Sequence, residues 1–230
     1  MVAAPPIWRE SAKRQLLGIN LPLRGGTPLL MGHHGSMHSQ RQGGSTTPET
    51  PAHPYRRVTS FRSRRAAITD AQQEVWERLW PRLGMLARPG GPGSCTPAQR
   101  LDTAHWFGRS APVVLEIGCG TGTSTVAMAQ AEPDIDVIAV EVYRRGLAQL
   151  LSAIDREAVP NIRLIRGDGV DVLEHQVGSG TLTGVRVFFP DPWPKSRHHK
   201  RRLLQPATVA LIADRLRPGG VVHALSLIHI

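Results

Sequence analysis

Asp191 stands between Pro190 and Pro192, with Pro194 close behind, and a run of residues from Lys195 to Arg202 that contains no acid follows. Each proline lacks an N–H and restricts the residue before it, so the carboxylate is held in a stiff extended turn. Just upstream, Val185–Phe189 is a short apolar run rich in β-branched and aromatic residues, the pattern of a buried strand. Asp191 is therefore expected just past a strand's carboxyl end, where open α/β sheets bind ligands. The cations are Lys195, Arg197, Lys200, Arg201 and Arg202, with His198 and His199 among them and Trp193 between them and the acid. A lone carboxylate beside dense positive charge and an indole suits a polyanion whose reacting group is an aromatic base. Each half alone reads as a proline-rich loop or a solvated basic helix end. The two in this order favour the ligand.

A second cluster lies upstream, Glu116 followed by Gly118, Gly120 and Gly122. Glycines at a strand-to-helix turn let the backbone approach a ligand closely. A nicotinamide fingerprint needs Gly or Ala at the sixth position counted from Gly118, and Thr123 stands there. Glu141 closes the next strand, where a carboxylate suits bidentate acceptance from a nucleoside's ribose hydroxyls. Asp168 follows the strand after that. One such acid is ordinarily a helix cap or a solvated loop end. Three at successive strand ends point to a ligand.

The elements that must position these groups begin at Pro112. Strands are expected at Val113–Ile117, Val137–Val142, Ile162–Arg166, Val185–Phe189 and Val221–Ala224, and helices at Ser124–Ala131, Arg144–Arg156, Val170–His175 and Leu203–Leu216. Continuous apolar strands alternating with helices mean a parallel sheet covered on both faces, an α/β fold. Upstream, Thr69 can cap a helix from Asp70 to Trp80 that Pro81 stops, with Val75, Trp76, Leu79 and Trp80 at core spacing. Ser60-Phe61-Arg62-Ser63-Arg64-Arg65 is a basic patch carrying one aromatic, residues 87–98 a Pro/Gly linker, and Ala104–Phe107 a short apolar element. Residues 1–58, rich in Pro, Gly, Ser, Thr and His, read as a disordered tail, and His33, His34 and His38 lack the Cys or carboxylate that would make a metal site of them. The division expected is a tail (1–58), a basic helical segment (59–110), a Rossmann-like domain (111–224) and a short end piece (225–230).

The glycine turn with its acids resembles motif I of the class I S-adenosylmethionine-dependent methyltransferases. Joined to Phe189-Pro190-Asp191-Pro192-Trp193-Pro194-Lys195, it closely resembles the bacterial tRNA (guanine-N7-)-methyltransferases, a likeness running from about Ser60 to Ala224. The resemblance implies a Rossmann-like class I methyltransferase sheet, S-adenosyl-L-methionine as cofactor and tRNA as substrate. It implies that Glu116, Gly118, Gly120, Gly122, Glu141, Asp168 and Asp191 bind the cofactor. Asp168 would contact the adenine, Asp191 would be the catalytic residue, and Lys195 would bind the tRNA. Family members continue past Ala224 with a Thr-Asp-rich loop and two further strands, where this chain has Leu225-Ser-Leu-Ile-His-Ile230. Those six residues match a translated transposase-adapter sequence, so a C-terminally truncated fragment with little or no activity is expected.

Charge agrees with an anionic partner: 28 Lys and Arg against 18 Asp and Glu give a formal net charge of +10. No apolar run approaches the roughly 20 residues of a membrane span, and Met1 to Arg24 lacks a signal peptide's apolar region. The two cysteines, Cys95 and Cys119, fit no metal-ligand spacing, and a reducing cytoplasmic setting is expected. Two rival classes remain. Another methyltransferase on the same fold is disfavoured by the cationic run. A non-enzymatic RNA-binding protein with a relic cofactor fold is disfavoured by the intact acids and glycines.

Overall fold

The computed structural model describes residues 67–87 and 100–226. The expected tail, the basic patch before Ala67, most of the 87–98 linker and residues 227–230 lie outside the described residues. Six parallel strands, β1 (Gly84–Leu86), β2 (Val113–Ile117), β3 (Asp136–Glu141), β4 (Ile162–Arg166), β5 (Leu182–Phe188) and β6 (Leu216–Leu225), form one sheet in the order β1-β4-β3-β2-β5-β6. From β2 the chain winds outward through β3 and β4, then returns to the other side for β5 and β6. The reversal puts the topological switch point between β2 and β5, with all carboxyl ends on one edge.

Among the described residues six α-helices accompany the strands: α1 (Asp70–Leu83), α2 (Thr103–Phe107), α3 (Thr123–Ala131), α4 (Arg144–Glu157), α5 (Gly169–His175) and α6 (Pro206–Arg215). Strand β3 shows why both faces are covered. Val137 and Ala139 pack with α1, α3 and α4, while Ile138 and Val140 join Val172 and Leu173 of α5 and Ile212 of α6. Successive side chains point to opposite faces, so a strand buried on both must be apolar throughout. No helix among the described residues is long and apolar enough to cross a membrane.

The structure corrects the bounds of several expected elements and adds one strand. Pro81 does not stop α1, which runs on to Leu83. Proline's φ suits a helix and its missing N–H costs one bond. Stacking of Trp80 on Trp76 (centroids 4.1 Å apart) and burial of Leu83 outweigh that loss. Strand β1, unseen in the sequence, pairs in parallel with β4; three residues are too few to show a period. Leu216 begins β6 rather than ending a helix, and α6 starts at Pro206 rather than Leu203. Ser196–Arg201, within the cationic run, forms a 3₁₀ helix. Thr69, by contrast, caps α1 as expected, exchanging hydrogen bonds with Gln72 in a capping box.

Candidate active site

A pocket opens at the carboxyl ends of β2, β3, β4 and β5, lined by Gly118, Glu141, Tyr143, Asp168, Phe189, Asp191 and Leu203 among others. Three of the four expected acids are thus brought together from segments far apart in sequence. Asp168 caps α5, its Oδ1 accepting from the Val170 N–H at 2.9 Å. Asp191 is exposed at the pocket's other wall.

Glu141 is more constrained than the sequence suggests. Its Oε1 accepts from the N–H groups of Val142 (2.7 Å) and Tyr143 (3.0 Å), and Oε2 accepts from Gly120 N–H at 2.9 Å. A carboxylate offers about four acceptor positions. One remains, on Oε2, so this conformation suits a single ribose hydroxyl rather than bidentate recognition. The same bonds tie the end of β3 to the glycine turn. Glycine suits that turn because Gly120 sits at φ +58°, in the left-handed region. The turn also packs closely on α4, where a Cβ on Gly146 would lie 2.3 Å from the Gly120 carbonyl oxygen.

Glu116 does not line the pocket. It is buried in β2, where Oε1 accepts from the Thr125 hydroxyl at 3.0 Å and Oε2 has no hydrogen bond. Its neighbour across the ladder is Arg186 of β5, itself bonded to Glu132 at 2.5 Å. Burial pushes the Glu116 carboxyl above the ordinary range, while Arg186 and Thr125 pull it back. Gly122 is likewise outside the pocket: it caps α3, and a Cβ there would strike Leu150. Burial, and after it Glu116 and Glu141, push the thiol of the buried Cys119 in the turn well up. With Glu141, Asp168 and Asp191 among its lining residues, the pocket suits a cationic ligand.

The positive run adjoins this pocket through the chain itself, strung between the pocket-lining residues Asp191 and Leu203. Its cations divide. Lys195, Arg197 and Lys200 are exposed. Arg201 lies 5.0 Å over the Trp193 ring, and Arg202 Nε donates to the Pro192 carbonyl at 3.1 Å, so these two brace the loop. Trp193 is 4 % exposed and packs edge-on against His198, which settles its place as packing under the loop. Sequence reasoning missed Phe189 and Tyr143 as pocket walls, and Arg186 as the partner of Glu116. Arg186 sits inside an apolar strand, and only the strand register shows whom it faces.

A family model described as "Putative methyltransferase" matches residues 110–226. A protein of Mycolicibacterium vanbaalenii named tRNA (guanine-N(7)-)-methyltransferase is 71 % identical over 208 residues, covering 84 % of this chain and 77 % of that protein. One of the same name from Mycobacterium sp. (strain KMS) is 73 % identical over 173 residues, 75 % of this chain and 62 % of that protein. Among solved structures, the antibiotic-resistance methyltransferase Kmr aligns with 61 % of this chain and 69 % of its own, at 20 % identity and a TM-score of 0.43.

Proposed function

The chain belongs to the tRNA (guanine-N(7)-)-methyltransferase family, and from that premise we propose that it methylates N7 of a guanine in tRNA, using S-adenosylmethionine. The observation that carries this reading is the joining of two opposite fields by one loop. An acid-walled pocket meets, at Asp191, a cationic run suited to phosphates. The acids and the open glycine turn fit a nucleoside carrying a sulfonium charge.

Glu141 and Asp168 would hold the cofactor's adenosine half, Gly118 and Gly120 would let its other half approach the backbone, and Asp191 would face the reacting atoms. Bound S-adenosylmethionine supplies a methyl already made electrophilic by positive sulfur. Guanine N7 has an in-plane lone pair and loses no proton on attack, so no general base is required. Asp191 then works by alignment, accepting from the guanine N1–H and N2–H groups or orienting the sulfonium. Its negative charge also stabilises the cationic ring that forms. Lys195, Arg197 and Lys200 hold backbone phosphates and confer little sequence choice.

Incubating the chain, and beside it a version carrying the C-terminal strands that family members have after Ala224, with unmodified tRNA and labelled cofactor, followed by nucleoside analysis, tests the reading. The expected product is 7-methylguanosine; methyl in another nucleoside, or in none with either version, overturns it. Asp191→Asn separates positioner from base. An amide still accepts one hydrogen bond, so a partial rate loss with little pH dependence is expected. A wild-type rate that climbs through a carboxylate-like pKa and vanishes in the variant would assign Asp191 as a base.

A further inference from the structure

We propose that Phe189 is the platform on which the target base stacks, an inference that rests on the methyltransferase reading above. Phe189 follows the last residue of β5 and precedes Pro190, a position that favours extended backbone. Its φ is instead +49°, the left-handed region that bulky residues avoid. The N–H of Phe189 donates to the Leu225 carbonyl at 2.9 Å, which holds the conformation. The strained backbone turns an apolar ring outward: Phe189 is 57 % exposed, and it is the single aromatic among the exposed large hydrophobic residues described. Strain and exposed apolar surface each disfavour the folded state, and together at a pocket they point to a ligand.

The neighbouring rings of this segment, Phe188 and Trp193, are already committed. Trp193 is buried under Arg201 and against His198, and Phe188 sets its ring edge-on to His223 at 5.1 Å. Phe189 stands two residues before Asp191, and both line the pocket. A planar base fits this pair, with its face on the Phe189 ring and its hydrogen-bonding edge toward Asp191. Every base has a π-face, so the ring would supply affinity and Asp191 the choice of guanine.

The test uses the full chain with Phe189→Leu, Phe189→Tyr and Phe189→Gly. Readouts are kcat/KM for unmodified tRNA at saturating cofactor, cofactor affinity by calorimetry, and emission of a tRNA carrying 2-aminopurine at the target position. Leu is expected to lower kcat/KM roughly 5- to 150-fold, the measure of one base–aromatic stack, with cofactor affinity unchanged. Tyr should restore the rate. The 2-aminopurine emission should be quenched by wild type and Tyr and not by Leu. Gly relieves the strained φ, so it should melt no lower than wild type yet share the Leu defect, which separates stacking from folding. A Leu variant at the wild-type rate, unquenched emission with wild type, or a parallel loss of cofactor affinity each overturns the inference. Absence of tRNA methylation by wild type, both as this chain and with the family's C-terminal strands added, overturns the functional reading and takes this inference with it. An active wild type matched by Leu overturns this inference alone.

Discussion

At the scale of single residues, the acids that look alike in sequence have different tasks. Glu141 already accepts three backbone N–H bonds, so it builds the turn as well as facing the pocket. Glu141→Gln replaces one oxygen by a donor, which confronts a backbone N–H whichever way the amide lies. Calorimetry should show cofactor affinity weakened by about 1–3 kcal/mol, with a lower Tm; unchanged affinity would move the ribose site elsewhere. Glu116 makes a different prediction. Its folded pKa is raised, so the folded chain keeps a proton that the unfolded chain has released. Its contribution is complete below the ordinary carboxylate range and fades as pH rises through the raised value. Glutamine cannot titrate. The Tm of Glu116→Gln minus that of wild type should therefore rise across that window, measured from about pH 4 to about pH 8. Parallel curves would place the titration in another group.

At the scale of elements, the loop after β5 and its 3₁₀ helix hold cations of two kinds. Lys195, Arg197 and Lys200 are exposed, whereas Arg201 lies over Trp193 and Arg202 grips the Pro192 carbonyl. Replacing the first three by Ala should make log K for tRNA against log salt shallower, at unchanged Tm. The slope should fall by roughly 0.7 to 0.9 for each phosphate no longer neutralised. Arg201→Ala should instead lower stability, since a partly desolvated cation–π interaction is worth about 0.5–2 kcal/mol. An unaltered salt slope in the triple variant would make this run a solvated face. Helix α1 is a second case of packing deciding an element. Trp80 on Trp76 and Leu83 in the core carry the helix through Pro81 and into β1.

For the whole molecule, the sheet leaves β6 as an edge among the described residues, with Val221 42 % and Val222 44 % exposed. Unpaired backbone groups beside exposed β-branched residues form a template for association. Val221→Lys with Val222→Lys should raise the monomer fraction at high concentration, read by light scattering. Each exposed change should alter stability by no more than about 0.5 kcal/mol. A wild type that stays monomeric under the same conditions would remove the edge as a liability. Positive charge at large agrees with the site, since +10 overall draws a polyanion toward the chain while acids line the pocket itself.

The sequence alone determined the α/β class, five of the six strands and the separation of glycine turn from proline loop. Each of these follows from local pattern: continuous apolar runs, caps such as Thr69, and residues whose backbone is restricted or freed. It also marked Glu141, Asp168 and Asp191, because an acid at a strand end reads directly from order along the chain. Tertiary structure decided what depends on neighbours far away in sequence. Glu116 and Gly122 fall beneath the pocket because strand register and helix packing, not spacing, set their surroundings. Phe189 is turned outward where its N–H meets the distant Leu225 carbonyl, and Trp193 is buried because the loop folds back to set Arg201 and His198 against its ring. Strand β1 exists because β4 offers an edge to pair with, and a three-residue run carries no period that would announce it.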